Sequence, residues 1–175
     1  MTKSGSRWRA LARVGVLLPA LALSAPAFAA AADIALLKAY IGTWSGRGTL
    51  TGANTETVKC KLKLEEGNGD KIIYSGRCTL AGTNLSIRGT LLYDDASGRY
   101  LAAMTSNATF TGDAIGQKSG DGVVFNLKER QTDEEGNDMT ISASIALKGG
   151  AINVQFEVIY TATGDTIRAT VPFSQ

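Results

Sequence analysis

Histidine is absent from this 175-residue chain. Without histidine the chain has no Ser-His-Asp or Cys-His nucleophile system, and no metal site that depends on imidazole ligands. A Gly-rich phosphate loop and a dinucleotide-binding fingerprint are missing as well. We therefore expect a protein that is not an enzyme, that holds no metal and that carries no cofactor bound through histidine.

Cysteines and clustered acidic residues are also scarce. The chain has two cysteines, Cys60 and Cys78, and they do not form the C-x-x-C spacing of a thiol oxidoreductase. Two short acidic runs, Asp94-Asp95 and 133–138, do not have the spacing of an EF-hand calcium loop. We interpret both runs as solvated hairpin turns rather than as calcium sites.

Residues 1–29 have the pattern of a secretory signal peptide. A basic start is followed by a short apolar run, 14–23, and by the small-x-small sequence Ala27-Phe28-Ala29. The apolar run is too short and too interrupted for a membrane span. We expect cleavage after Ala29, which leaves a single domain, 30–175, in the periplasm or outside the cell.

The charge of the chain changes when the predicted leader is removed. The full chain has 18 basic and 16 acidic residues, and the leader contains four of the bases and none of the acids. The mature chain then has 14 bases against 16 acids, a formal charge of −2. A near-neutral domain does not favour general nucleic-acid binding. Outside the leader, no apolar run approaches the length of a membrane span.

One short helix is predicted at the start of the mature chain, over 33–41. Asp33 is a residue type favoured at helix N-caps, and Ile34, Leu37 and Ile41 recur at helical spacing. The rest of the chain alternates apolar and polar residues between turns rich in Gly, Asn and Asp, which is typical of β-strands. The predicted strands are 43–51, 56–66, 70–81, 84–94, 98–106, 108–118, 122–132, 138–148, 151–162 and 166–174.

Three short turns predict which strand residues face each other. In an antiparallel hairpin, residues directly opposite one another point to the same face of the sheet. The predicted turns are Gly82-Thr83, Gly149-Gly150 and Gly164-Asp165. The apolar residues that they place opposite one another are Tyr74 and Leu91, Leu147 and Ile152, and Val158 and Val171.

Because the three turns agree on one apolar face, the strands are expected to close around it. We predict an all-β fold, an antiparallel up-and-down barrel of about ten strands preceded by one short helix. In this barrel the last strand pairs with the first, and Pro172, which has no N–H, removes a ladder bond on the outward face. An open sandwich is the alternative.

The hairpin over 57–80 brings the two cysteines together. With its turn centred on Gly69, Cys60 lies directly opposite Cys78 on the inner face. Directly opposite strand positions are close enough for a disulfide, and an oxidising compartment allows the bond to persist. We predict a Cys60–Cys78 disulfide, and two buried free thiols are the alternative.

The sequence G-T-W-S-G-R-G, at Gly42–Gly48, follows the predicted helix and opens the first strand. A short helix, this G-x-W opening and an antiparallel meander resemble the calycin superfamily of lipocalins and fatty-acid-binding proteins. The fuller motif is similar to the first strand of nitrobindin-like barrels, which bind haem through a histidine late in the chain. The resemblance implies the fold and a packing role for Trp44 at a barrel end. It does not extend to haem ligation, because this chain has no histidine.

A more distant similarity is to small periplasmic inhibitors of secreted metalloproteases. These inhibitors also have a G-x-W opening and a disulfide early in a calycin-like barrel. The similarity implies a protein–protein function in which the N-terminal segment around 30–33 contacts a protease.

The barrel interior is the first candidate site, for a small apolar or amphipathic ligand. Gly76 and Gly89 are predicted to lie opposite each other, and two small inward residues leave room. Tyr74 and Tyr160 are candidate polar contacts, and Glu129 is expected at the rim. The predicted lining is Trp44, Leu62, Tyr74, Gly76, Gly89, Leu91, Phe156 and Tyr160. The alternative is that the glycines ease strand coiling and the large side chains fill the core.

A row of basic residues on the outer face is the second candidate site. Its members, each predicted to lie opposite the next, are Arg47, Lys61, Arg77 and Arg88, with Lys59 and Lys63 alongside. Like charges directly opposite one another are unfavourable. The row therefore favours contact with anionic lipid head groups, lipopolysaccharide, cell-wall polymer or an acidic protein. The alternative is a solvated face on which long side chains splay apart.

Together these patterns predict a monomeric, non-enzymatic binding protein of the periplasm or cell exterior, with a small apolar ligand inside the barrel. The alternatives are a protein–protein module such as a protease inhibitor, and an envelope-associated protein that uses the basic row. A retained lipid or pigment would favour the carrier, and a co-purified protease would favour the inhibitor.

Overall fold

The described part of the chain comprises residues 26–80, 82–107, 111–133 and 135–175 of a computed structural model, with side chains from Ala30 onward. Most of the predicted signal peptide therefore lies outside the described residues, as do the first three positions of the predicted strand 108–118. Within this part, one α-helix precedes ten β-strands. The helix is α1 (Pro26–Lys38). The strands are β1 (Gly42–Thr51), β2 (Glu56–Glu66), β3 (Ile72–Leu80), β4 (Thr83–Asp94), β5 (Arg99–Ser106), β6 (Thr111–Ser119), β7 (Gly122–Thr132), β8 (Asp138–Lys148), β9 (Ala151–Tyr160) and β10 (Thr166–Ser174).

The strands close into one antiparallel up-and-down barrel. Each strand pairs with its neighbours in the chain, and β1 pairs with β10 through Gly46 opposite Phe173. The predicted fold class is confirmed, and the open sandwich is not formed. Closure pairs the backbone groups that the first and last strands of an open sheet would leave exposed.

The alternation along β2 shows how the sequence builds the barrel wall. Its inward side chains are buried, and the lysines between them are exposed. The buried residues are Val58, Cys60, Leu62 and Leu64. Successive side chains of a strand point to opposite faces, so this pattern gives one apolar lining and one charged outer surface.

The predicted disulfide is confirmed. Cys60 on β2 and Cys78 on β3 lie directly opposite one another, with their α-carbons 4.0 Å apart. Cys60 is buried in the main apolar cluster, and Cys78 packs against that cluster. The bond therefore joins the two strands on the inner side of the wall.

The register is confirmed at one turn and shifted at two. The observed opposite pairs are Leu147 and Ile152, Tyr74 and Gly89, and Val158 and Ile167. The first pair is as predicted; the other two are not. The β3–β4 turn falls one residue early, with Gly82 (φ 72°) before the next strand. The β9–β10 loop is 161–165, within which the Tyr160 N–H donates to the Asp165 carbonyl oxygen at 2.9 Å. Both shifts are even, so the predicted inward-facing residues still face inward.

Helix α1 starts earlier than predicted and covers one end of the barrel. It begins at Pro26, so Asp33 lies inside the helix and its predicted N-cap role is wrong. The alanines before Asp33 are strong helix formers and extend the helix upstream. Leu37 is fully buried, and the Trp44 indole N–H donates to the Tyr40 carbonyl oxygen at 3.0 Å. These contacts give Trp44 the predicted packing position at a barrel end.

Candidate functional sites inside the barrel and on its outer wall

Asp33 fastens α1 to the barrel at the helix-covered end. One carboxylate oxygen accepts a hydrogen bond from the Tyr100 hydroxyl at 2.6 Å and another from the Lys118 ammonium group at 2.9 Å. Asp33 is 9% exposed, so its charge is compensated by these partners rather than by water. Tyr100 belongs to β5 and Lys118 to β6, so one helix residue is bonded to two strands.

The same contacts set the ionisation of this cluster. Burial raises the pKa of Asp33, but the hydrogen bonds from Lys118 and Tyr100 and the charge of Lys118 outweigh it and leave the pKa below the ordinary value. Burial and the neighbouring carboxylate raise the pKa of both Tyr100 and Tyr93. At neutral pH the aspartate is therefore charged, and the two phenols are neutral donors.

A second apolar cluster lies toward the opposite end of the barrel, where β8 begins and β9 ends. Ile141 and Val158 are its buried members. The partly buried side chains packed against them are Met104, Leu127, Met139, Phe156, Tyr160 and Ile167. In the described part of the chain no helix covers this end. We call it the mouth, because several apolar side chains that face the interior are only partly buried there.

A cavity of about 30 Å³ lies between the main core and the mouth cluster. Its lining consists of Tyr74, Ala102, Met104, Gly112, Ala114, Phe125, Leu127, Ala143 and Ile145. One water needs about 10–15 Å³ of such space, whereas ligand pockets measure about 300–1,000 Å³. In this conformation the cavity therefore has room for about two waters, and a larger guest requires side chains to move.

The predicted lining residues divide between the two ends of the interior. Tyr74 borders the cavity. The predicted lining residues that belong to the main core are Trp44, Leu62, Tyr74 and Leu91. Phe156 and Tyr160 belong to the mouth. The aromatic residues predicted to contact a ligand thus lie at both ends of the interior, and the cavity lies nearer the β5–β8 wall than predicted.

Gly76 and Gly89 do not lie opposite each other, and the space predicted between them is filled. Gly76 faces Ile87, and Gly89 faces Tyr74. A β-carbon at residue 89 would lie 2.4 Å from the Tyr74 hydroxyl oxygen, and one at residue 76 would lie 2.8 Å from Cγ1 of Ile87. The glycines make room for a side chain of the adjacent strand, so the packing alternative applies at both positions.

Two polar side chains of β7 approach the mouth from inside. Glu129 lies at the rim, as predicted, and is half-buried together with Gln131. The Gln131 amide donates to the Thr111 carbonyl oxygen at 3.0 Å and to the Glu129 carboxylate at 3.4 Å. A carboxylate and an amide thus border the half-exposed apolar cluster.

The outer basic residues form two opposite pairs rather than one continuous row. Arg47 lies opposite Lys59, and its predicted pairing with Lys61 is wrong. Lys61 lies opposite Arg77, as predicted. Arg88 does not lie opposite Arg77. Both differences, at Arg47 and at Arg88, have the same cause. The registers across the β1–β2 and β3–β4 turns are each shifted by two residues relative to the prediction.

The two basic pairs line an open groove of about 670 Å³ on the outer wall. Pro172 and Ser174 of β10 form another part of its lining. Arg88 is on the outer face but does not line the groove. The predicted basic surface is thus divided between a groove and one outlying arginine.

The acidic turns form local hydrogen bonds. Asp133 accepts hydrogen bonds from the side chain and backbone of Asn137, which lower its pKa. Among the residues that the structure describes, no three His, Cys, Asp or Glu side chains gather as a metal site. The segment 30–33, implied as a protease contact, lies within α1 and ends at the buried Asp33.

Comparison with known proteins identifies similar structures but no family to which the chain can be assigned. No protein-family model and no curated protein matches the chain. Rv2717c from M. tuberculosis is similar over 81% of this chain and 97% of its own, with 13% identity and a TM-score of 0.61. A redesigned β-barrel, mFAP0, bound to DFHBI aligns over 78% of this chain and 99% of its own, with 9% identity and a TM-score of 0.41. The likeness to Rv2717c shows the barrel fold alone. In the described residues, no helix is long and apolar enough to cross a membrane.

Sequence reasoning did not find the Asp33 cluster. Its two partners are 67 and 85 residues away along the chain, so no local pattern joins them. One signal was present, because Asp33 lies four residues before Leu37 and therefore shares its helix face. An acid on a buried helix face requires a partner, and the sequence leaves that partner unidentified.

Proposed function

We propose that this protein is an exported, non-enzymatic binding protein of the calycin type, which takes one small apolar or amphipathic ligand through the mouth of its barrel. The observation that carries the proposal is the half-exposed apolar lining at the mouth, where Phe156 and Tyr160 face inward. Barrels of this size hold small ligands in other proteins. Ligand sites are mostly apolar with a few convergent polar groups.

The cavity limits the shape of the ligand. Met104 borders both the cavity and the mouth cluster, and Met139 lies in the mouth. Methionine side chains are unbranched and change rotamer readily. Movement of Met104 joins the cavity to the mouth and makes a narrow channel. We therefore expect a single alkyl chain or a ligand of similar width, rather than a rigid system of fused rings.

The rim supplies the polar end of the site. Glu129, Gln131 and Tyr160 lie where the polar group of an amphipathic ligand would remain near solvent. Binding of this kind needs no haem ligated by histidine and no catalytic group, so we propose neither. A closed barrel also offers no free strand edge to a second copy, which favours a monomer.

Export to the periplasm or to the cell exterior is part of the proposal. The signal-peptide pattern of residues 1–29 supports it. The Cys60–Cys78 disulfide supports it independently, because such bonds persist in oxidising compartments.

Mass spectrometry of organic extracts tests the interior site. The protein is purified from its own periplasm beside two variants of β8. Ala143→Phe fills the cavity that Ala143 lines. Ser142→Phe is the matched control, since the adjacent residue of a strand points to the opposite face. We expect native protein and Ser142→Phe to retain the same small apolar molecule, and Ala143→Phe to lose most of it.

Retention of equal amounts by Ala143→Phe, or extracts with no small molecule from any of the three proteins, would reject the interior site. A co-purifying protease in place of a small molecule would instead favour the inhibitor alternative. That function would require the segment 30–33 to leave the position that Asp33 holds in α1.

A further inference from the structure

The outer groove contains two matched pairs of cations. Arg47 on β1 lies opposite Lys59 on β2, and Lys61 on β2 lies opposite Arg77 on β3. Residues directly opposite one another share a face, with α-carbons about 4.5–5.5 Å apart. Each pair consists of one arginine and one lysine. Lys59 and Lys61 are two positions apart on the same strand, so the pairs are about 7 Å apart along the wall.

Charge compensation inside the protein does not explain these pairs. All four side chains are exposed, and in the described residues none of them forms a salt bridge. Some other outward cations are compensated, as Lys63 is by Glu65 and Arg168 by Glu157, whereas Lys128 and Arg130 likewise form no salt bridge within the described ranges. Like charges held opposite one another cost free energy unless an anion lies between them.

The floor of the groove is fixed by covalent and backbone structure. Cys60 lies between the two lysines in sequence, borders the groove and is joined to Cys78. The disulfide holds β2 and β3 in register, so Lys61 stays opposite Arg77. Lys59 and Lys61 belong to the same strand, so the backbone distance between the two pairs is constant.

We propose that this groove binds a soluble ligand carrying two phosphate groups about 7 Å apart, one held by each Arg–Lys pair. A phosphate monoester carries about 1.5 to 2 negative charges at neutral pH, which matches the two positive charges of a pair better than a carboxylate does. The arginine fork contacts phosphate oxygens in a bidentate manner, and lysine adds a point charge. Ser45 also lines the groove and adds a hydroxyl donor. The four cations lie within one groove, so a single small ligand can contact all of them.

Isothermal titration of the mature protein with defined phosphates tests this assignment. The probes are inorganic phosphate and propane-1,3-diol bisphosphate, whose phosphates reach the required separation. We expect the bisphosphate to bind at least about tenfold more tightly, because the second contact becomes intramolecular. Removing one pair with Arg47→Gln and Lys59→Gln should abolish that gain. The double change Lys63→Gln and Arg168→Gln, which removes cations with acidic partners, should alter affinity by less than about twofold.

Three outcomes would overturn the proposal. Inorganic phosphate and the bisphosphate could bind equally, or the control pair could lose as much affinity as the groove pair. Vesicles containing phosphatidylglycerol could bind the protein while the bisphosphate does not, which would assign the surface to a membrane. Circular dichroism and thiol titration confirm that each variant keeps its barrel and its disulfide.

Discussion

Tyr74 lies directly opposite Gly89, and its ring occupies the position that a side chain of residue 89 would need. The Tyr74 hydroxyl continues past the glycine and donates a hydrogen bond to the Ala103 carbonyl oxygen at 3.2 Å. Burial raises the pKa of this hydroxyl, which therefore remains a neutral donor. The Tyr74 side chain thus connects β3, β4 and β5, and it can do so only because residue 89 has no side chain.

Gly89→Ala should lower the free energy of unfolding by about 1–3 kcal/mol, the usual cost of overpacking. The new methyl group would lie 2.1 Å from the Ala103 carbonyl oxygen as well as against the Tyr74 ring. Adding Tyr74→Phe removes the hydroxyl but not the backbone carbonyl, so it should not restore stability. Urea unfolding of the two variants measures both effects.

Gly52→Ala is the control for that experiment. Its β-carbon would have Cγ1 of Ile167 as its nearest neighbour, at 3.3 Å, so a small side-chain adjustment accommodates it. We expect stability close to that of the native protein. If Gly89→Ala is as stable as Gly52→Ala, the described packing of Tyr74 is wrong.

Removal of the disulfide should destabilise the barrel without opening it. Cys60 and Cys78 are 18 positions apart, and the chain-entropy estimate for such a loop is about 3 kcal/mol. The double change Cys60→Ala and Cys78→Ala should lower the urea midpoint by a corresponding amount. Dithiothreitol should destabilise the native protein and leave the double variant unchanged. Two titratable thiols in the untreated native protein would contradict the bond.

The strands and their inward-facing residues could be predicted from the alternation of apolar and polar residues. Each strand side chain points either inward or outward, and apolar side chains are the ones that are buried. The registers across the β3–β4 and β9–β10 turns differ from prediction by two and four residues, respectively, since Gly82 and Gly164 occupy turn positions that composition does not distinguish. An even shift preserves the inward set, but it changes the partners. The β3–β4 shift separates Arg88 from Arg77 and places Tyr74 opposite Gly89, and a two-residue shift at the β1–β2 turn pairs Arg47 with Lys59.

From sequence, inward-facing glycines predict empty space, but in the structure large side chains of the adjacent strands fill it. Gly46 lies opposite Phe173 and Gly116 opposite Phe125, as Gly89 lies opposite Tyr74. In each pair a ring covers the glycine, so small and large residues add up to a filled layer. The mouth differs, because its large inward-facing side chains are only partly buried.

The Asp33 cluster should make the stability of the folded protein depend on pH in the acidic range. The pKa of Asp33 is lowered in the folded state, so the charged carboxylate contributes stability above the ordinary aspartate value of 3.8. That contribution is lost as the pH falls through the lower folded value. We therefore expect Asp33→Asn to be less stable than the native protein at neutral pH, and the difference to shrink as the pH falls below 3.8.

Thermal unfolding at a series of pH values measures this difference. Asp133→Asn is a useful comparison, because Asp133 also has a lowered pKa but lies in a turn remote from α1. Trp44 emission should shift to the red in Asp33→Asn, since the helix that covers Trp44 loosens, and should not shift in Asp133→Asn. A constant stability difference between native protein and Asp33→Asn across the pH series would contradict the charged-state contribution.

Two lysines hold α1 in different ways. Lys38 extends from the helix to Glu66 at 2.6 Å and Asp70 at 2.8 Å, and both acidic side chains are more than half exposed. Lys118 extends from the barrel to Asp33, whose side chain is 12% exposed. Exposed ion pairs contribute little because water solvates each partner when the pair is broken. A buried carboxylate that loses a partner keeps its desolvation cost.

Lys118→Met should therefore cost about 1–3 kcal/mol of unfolding free energy, whereas Lys38→Met should cause no clear change. Both substitutions remove one charge and keep the apolar stem, so they differ mainly in the burial of the carboxylate left behind. Restoring neutrality with Asp33→Asn should recover part of the loss in Lys118→Met, which a purely packing-based effect would not allow. Urea unfolding of the two single variants and the double variant measures this coupling. Equal losses for both lysines, or additive losses for Lys118→Met and Asp33→Asn, would show that Lys118 does not stabilise the barrel through the Asp33 charge.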